Sequence, residues 1–484
     1  MFRNILTLLI ILIFAACSSG LVEEVNNKPE IFPDYTDCTI PANIAPLNFK
    51  LIEKYQNAYV VLSCGNETWK VNANKKQFTF SQSKWKKMLN VAKGGAIKVE
   101  LFAKNNNKWT KFSPFEWFVP NELIDSHIAY RLIEPGYQLW NQMGIYQRNL
   151  ENYSQSVIMD NKQSGNNCMN CHSFCMQNPD KMLYHMRAKH AGTLIVDGKK
   201  VEKLNTKTNQ TISNLVYPSW HPSGRFVAFS VNETHQAYHM NNNNRVEVYD
   251  NKSDVVVYDV EKNEIITNPL IFSDSCLETF PTFSPDGKTL YFCTSKAFEY
   301  PNEFAQVKYS LCAISFNPEL KTFGTTVDTL YKACNKSVSF PRVSPNGKYL
   351  LYTLSDYGNF SIWHKEADLY MINLSTNEHY PLEKANSNDV ESYHSWSSNS
   401  KWIVFSSRRI DGLYTHLYIS YINEKGEAEK PFIVPQKNTQ HYRKFMKSYN
   451  IPEFIVGQVK NRRNEFRLKA TKKEGINVTF AAPK

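Results

Sequence analysis

One pattern returns four times in the second half of the chain. "YPSWHPSGRFVAFSVN" begins at Tyr217, "FPTFSPDGKTLYFCTS" at Phe280, "FPRVSPNGKYLLYTLS" at Phe340 and "YHSWSSNSKWIVFSSR" at Tyr393. The anchors Trp220, Phe283, Val343 and Trp396 are separated by 63, 60 and 53 residues. Each copy holds a strand, a tight turn with Gly224, Gly287 or Gly347 (Ser400 in the fourth) and a second alternating strand, and a third strand such as "ADLYMINLSTNE" follows. Such a unit cannot bury both its faces alone, so copies must stack or close into a ring. The expectation is a mainly β fold built on a β-propeller of about six blades. Four are explicit, and "GTLIVDGKKVEKLN" and the segment after Gly426 supply strands for one or two more.

The strand-turn-strand with "SPDGK" resembles the TolB-type and WD-repeat-like propeller motif, and the likeness covers residues 191–440. Ahead of it, residues 40–119 alternate in short runs such as "AYVVLSC" and "AIKVELFA", which predicts a small β-sandwich of fibronectin III or immunoglobulin type with one amphipathic helix near "SKWKKMLNVA". Between the two, residues 120–190 shift toward a 3.6-residue period and read as a helical insertion. Asn178, Pro179 and Asp180 read as the start of its second helix, "KMLYHMRAKH". Residues 18–39 are a linker, and 441–484 close the propeller and end in a basic tail.

The first 17 residues, "MFRNILTLLIILIFAAC", carry Arg3, an apolar run from Ile5 to Phe14 and Ala15-Ala16 before Cys17. About ten apolar residues are too few to span a bilayer core of about 30 Å, so the segment reads as a signal peptide. Its end resembles a bacterial lipobox, which implies lipidation at Cys17 and an exported cell-envelope protein, periplasmic or outer-membrane associated, held to the membrane by lipid. The formal charge of +11 is concentrated near "KNRRNEFRLKATKK"; no nucleic-acid motif accompanies it, and no nucleic-acid partner is expected.

Inside the insertion, "NNCMNCHSFC" contains Cys168-Met169-Asn170-Cys171-His172, which fits C-x-x-C-H. In that pattern two thiols on a turn of helix reach the two vinyl groups of one haem edge and the histidine faces the iron. The expected cofactor is one covalent haem c, with Fe held by His172 as proximal ligand. For the distal position Met182, His185 and Met186 share a helical face. His185 ranks first, Met182 and His190 follow, and His221 is an outside candidate. Two other chemistries compete for the motif: a zinc set of Cys168, Cys171, His172 and Cys175, and a thiol-exchange pair.

The whole chain resembles exported TolB-like propeller lipoproteins that carry an inserted c-type haem motif. The stretches that carry the likeness include "YRLIEPGYQLWNQMGIYQRNL", "NCMNCHSFCMQNPDKMLYHMRAKHAGT" and "DGLYTHLYI". It implies Cys168 and Cys171 as thioether links and His172 as the proximal ligand. The expected function is one-electron transfer with redox partner proteins. The alternative is a binding or scaffold propeller for a protein, peptide or glycan, with the haem structural or absent. No nucleophile-base arrangement marks an enzyme; Asp254, Asp259, Asp368, Arg408, Arg409 and Asp411 read as solvated charges at strand ends. Cys38 with Cys64, and Cys293 with Cys312, are candidate disulfides, and free thiols are the alternative for the propeller cysteines.

Overall fold

The computed structural model describes residues 22–134, 141–240, 244–298 and 303–481. Six antiparallel sheets surround one axis. Blade two runs Met169–Phe174, Lys181–Met186, Gly192–Asp197 and Lys200–Asn205 from the axis outward; blade three runs Leu215–Trp220, Phe226–Tyr238, Val246–Asp259 and Glu264–Ile266. Blades four, five and six begin with inner strands Cys276–Phe283, Ser337–Val343 and Glu391–Trp396. The repeated motif is the inner strand, turn and second strand of blades three to six. Its turns use positive φ, 70° at Gly224, 72° at Gly287 and 71° at Gly347, and Ser400 adopts 61° in the fourth.

Blade one joins the two ends of the propeller. Its strands His127–Ile133, Gly144–Asn149 and Gln155–Asp160 precede the repeats, while its innermost strand is Ser448–Ile455, paired antiparallel with His127–Ile133. Hydrogen bonds between the two ends thus close the ring and cover the inner edge of His127–Ile133. The basic tail is also folded: helix Arg463–Thr471 buries Phe466 and Ala470, with the Phe466 ring 6.1 Å from Tyr184. Beyond it, Ile476–Asn477 and Thr479–Phe480 add edge strands to blades two and three.

The expected helical insertion is strand. Between Asn121 and His190 the described residues form blade one and the first half of blade two, joined by short 3-10 turns. In "KMLYHM" the side chains alternate. Met182, Tyr184 and Met186 pack in one apolar cluster, while Leu183 joins another on the opposite face. Both periods fit this hexapeptide, and pairing with Met169–Phe174 and Gly192–Asp197 on either side decides for the period of two. Asn178 caps a turn instead of a helix, accepting the Asp180 N–H at 2.9 Å.

The N-terminal module is a seven-stranded mixed sheet with a two-stranded ribbon, Ile31–Phe32 with Lys50–Leu51, and helix Gln82–Ala92. The helix buries Trp85, whose ring lies 5.3 Å from Trp117 and whose indole N–H donates to the Ile44 carbonyl at 2.9 Å. This core continues without a break into blade six through Trp402, Phe405 and Ile419. Cys38 and Cys64 are both free thiols.

Candidate site on the propeller axis

Every inner strand carries a β-bulge at the same place. The register slips between Met169 and His172, Val216 and Ser219, Thr279 and Thr282, Ser339 and Arg342, Ser392 and Ser395, and opposite Asn450 and Glu453 in blade one. A bulge re-aims the side chains around it. In five blades the first bulged residue adopts positive φ: Tyr217 48°, Phe280 50°, Phe340 53°, Tyr393 49° and Ile451 50°. For residues of this bulk that conformation costs about 1–3 kcal/mol each. The rings it presents meet across the axis. Centroids are 4.6 Å apart for Tyr217 and Phe280, 4.1 Å for Phe280 and Phe340, and 4.9 Å for Phe340 and Tyr393. Blade two places Asn170 at the equivalent position.

This layer divides the channel. Beyond the ends where the inner strands begin lies a cavity of about 470 Å³, floored by Tyr217, Tyr393 and Ile451. On the other side the same residues bound a small cavity of about 30 Å³, lined also by Cys171, His172, Arg342 and Glu453. Below it His172 and its equivalents, Ser219, Thr282, Arg342, Ser395 and Glu453, form a polar ring, five of them facing a further cavity of about 130 Å³.

The haem-like motif therefore spans two compartments. Cys168 faces the large cavity and Cys171 and His172 the small one. The His172 side chain is fully buried, its Nε2 3.8 Å from the Glu453 carboxylate, and neither ring nitrogen has a hydrogen-bond partner among the described residues. Burial, and then the charge of Arg131, push its pKa down to about 3, so the imidazole is neutral. Burial pushes Glu453 up to about 7 against the Phe174 N–H, which donates to it at 3.0 Å, and against Arg342. Burial likewise lowers Arg342. A porphyrin needs both sulfurs along one edge and its iron over the imidazole. A 30 Å³ space holds a water or two, whereas sites for organic ligands run to about 300–1,000 Å³. The residues as arranged do not fit the group.

None of the distal candidates lines the cavity that holds His172. His185 is buried on the second strand of blade two with its Nδ1 3.2 Å from Thr193 Oγ1, and burial lowers its pKa to about 3. Met182 lies in the apolar cluster on the other face of that strand, and His190 ends a 3-10 turn, half-buried. His221 bridges to blade four, with its Nε2 3.0 Å from the Gly287 carbonyl. Among the described residues no three His, Cys, Asp or Glu side chains group as a metal site, so the zinc set does not assemble. Cys17 lies outside the described residues.

Several charges expected in solvent are internal. Asp259 is buried between Arg225 and Lys321, Arg408 is buried over the Trp363 ring at 4.9 Å, and Asp254 is buried beside Glu278. Cys293 and Cys312 sit on adjacent strands one residue out of register, Cys293 opposite Leu311, and both are free thiols. Sequence reading missed Glu453 and Arg342 on the axis and Arg131 and Arg187 at its mouth. The signal for Glu453 was present: "NIPEF" matches the residue-proline step of "FPTF", "FPRV" and "YPSW".

The strand topology defines a six-bladed propeller, with a cavity at the mouth of its channel. No protein-family model and no curated protein matches the chain significantly. Among solved structures, a puromycin hydrolase aligns at 11% identity over 63% of this chain and 45% of its own, with a TM-score of 0.39. An oligogalacturonate lyase in complex with manganese aligns at 13% identity over 68% of this chain and 84% of its own, TM-score 0.35. The tricorn protease aligns at 10% identity over 82% and 43%, TM-score 0.37. The chain thus spans less than half the length of the hydrolase and of the tricorn protease. At these values the fold rests on its own strand topology.

Proposed function

We propose that the chain is a ligand-binding propeller of the cell envelope that takes a small molecule in the cavity at its channel mouth. The observation that carries this reading is the cavity itself: about 470 Å³, floored by the aromatic layer and bordered by an arm of blade three. That volume lies in the range of small-molecule sites, which are concave and mostly apolar with a few polar groups. The arm is the extension of Phe226–Tyr238 and Val246–Asp259 beyond the blade, and its Thr234, Val246 and Val248 line the space. The envelope placement rests on the signal-like start and Cys17. The test is a thermal-shift screen of small metabolites against the mature protein and Val248→Trp, which fills the cavity. Ligands that raise the Tm of the native protein and not of the variant support the reading; equal shifts in both overturn it.

A second reading is a lipid-anchored c-type cytochrome acting in one-electron transfer with protein partners. It is favoured by C-x-x-C-H and by the two unsatisfied nitrogens of buried His172, an arrangement that costs about 1–3 kcal/mol without a partner. The volume around His172 speaks against it. Pyridine haemochrome spectra and intact mass, on protein exported with c-type maturation machinery, decide: one covalent haem per chain establishes it, and a haem-free folded protein removes it.

A further inference from the structure

The large cavity is apolar on most of its wall and positive at one end. Arg131, on His127–Ile133, is 8% exposed, and its only side-chain hydrogen bond among the described residues runs from Nη1 to the Asn170 side-chain oxygen; its Nε has no partner. Arg187 follows the second strand of blade two, tied there by its own N–H to the Cys168 carbonyl at 3.1 Å. Neither guanidinium has an ion-pair partner among the described residues. They flank Cys168, whose thiol feels both charges although burial dominates and raises it.

The opposing charges are few. Arg408 also lines the cavity, but its Nε lies 3.3 Å from the Asp389 carboxylate and its Nη2 donates to the Trp363 carbonyl at 3.1 Å, so it is already compensated. Among the described residues Glu134 is the one carboxylate lining the cavity, and one of its oxygens has no hydrogen-bond partner there. Asp250 lies outside the lining within reach of the Arg187 charge, and takes hydrogen bonds from Asn232 at 2.8 Å and Asn359 at 2.5 Å. Two free guanidiniums facing one lining carboxylate leave a positive field in a space walled by Ile133, Tyr217, Phe360 and Tyr393. A buried guanidinium without a counter-ion is costly, and a bound anion relieves that cost through charge-assisted, two-pronged hydrogen bonds.

We infer that the cavity takes a small organic anion, a carboxylate or phosphate monoester with an aromatic or alicyclic body, the anionic group held by Arg131 and Arg187 and the body resting on the aromatic floor. This rests on the ligand-binding reading above and names the class of its ligand.

The experiment compares matched probes by calorimetry or ligand-observed NMR on the mature protein: benzoate with benzamide, and phenyl phosphate with phenol. The expected result is at least tenfold tighter binding of the anion in one or both pairs. Arg187→Gln brings that preference to within twofold while leaving the neutral partner unchanged. Arg131→Gln does the same where it folds; half-buried Arg187 carries the test where it does not. Preference for benzoate alone assigns a carboxylate, and for phenyl phosphate alone a phosphate. Equal binding of charged and neutral partners, or an undiminished preference in Arg187→Gln, overturns the anion assignment and leaves the cavity reading standing. Binding of none of the four probes overturns both.

Discussion

The Glu247 carboxylate and the His364 imidazole meet at 3.0 Å although they belong to blades three and five. The contact latches the tip of the blade-three arm across blade four. Tyr357 donates to the other Glu247 oxygen at 2.5 Å, Asn244 donates to Tyr357 at 3.2 Å, and Phe304 of blade four packs 5.6 Å from the Tyr357 ring. Glu366 lies 3.4 Å from the second imidazole nitrogen. The same arm borders the channel-mouth cavity through Thr234, Val246 and Val248.

Breaking this buried pair from one side costs about 3–5 kcal/mol, and 1.4 kcal/mol is a tenfold change. His364→Ala is therefore expected to speed amide exchange of residues 232–238 and 246–253 by about a hundredfold or more, with exchange in blades one and six unchanged. Hydrogen-exchange mass spectrometry reads this directly, and uniform acceleration across all blades would mean that the latch is not local.

The same pair gives the arm a pH dependence. Burial opposes the charge on His364, but the hydrogen bonds and charges of Glu247 and Glu366 outweigh it and raise its pKa to about 9, above the ordinary value of about 6.5. A raised histidine contributes its full stabilisation below the unfolded value and loses it as pH rises through the folded one. Arm protection, corrected for intrinsic exchange rates, should be greatest below about pH 6, fall progressively between about pH 6.5 and 9 and level off above that. In His364→Gln the fall should be absent.

Glu453 also loses stability as pH rises, but for the opposite reason: at His364 the charged form is the stabilising one, at Glu453 it is the destabilising one. Its folded pKa of about 7 exceeds the ordinary carboxylate value of about 4.3, so ionising it inside the channel destabilises the fold progressively between those two values. Glu453→Gln removes the ionisation while its amide oxygen still accepts the Phe174 N–H. The expected outcome is a Tm a few degrees above the native protein at pH 8 and no difference at pH 4. A lower Tm at pH 8 would show that the charge on Glu453, paired with Arg342, stabilises the channel.

Ring closure rests on Ser448–Ile455, which supplies the innermost strand of blade one. Truncation before Ser448 exposes the His127–Ile133 edge and the apolar faces behind Tyr449, Phe454 and Ile455, and should yield aggregated protein. Truncation after Lys473 removes only two short edge strands and should cost a few degrees of Tm. Soluble yield and circular dichroism of the two truncations separate these outcomes.

The N-terminal module and blade six share one apolar core, so the two should unfold together. Trp85→Ala removes a fully buried ring from that core and the hydrogen bond to Ile44, and large aromatic truncations of this kind cost about 3–5 kcal/mol. A single denaturant transition shifted as a whole is the expected result. A separate early transition for the module would show that the shared core does not couple them.

Local pattern alone determined much of this protein. The repeat at Tyr217, Phe280, Phe340 and Tyr393 specified strand, turn and strand, because alternation and a positive-φ turn are properties of neighbouring residues. Four copies that cannot each bury two faces had to stack or close into a ring. Tertiary structure decided the rest. "KMLYHM" suits a helix or a strand until two neighbours offer hydrogen bonds along its length, and those neighbours are set by ring closure. C-x-x-C-H is a local string, yet a bulge shared by all six inner strands sends Cys168 to one cavity and His172 to another. The charges along the axis, Arg131 and Arg187 at the large cavity and Arg342 and Glu453 at the smaller ones, come from four places in the chain. Their meaning depends on which counter-charges burial leaves within reach, and only the closed propeller sets that.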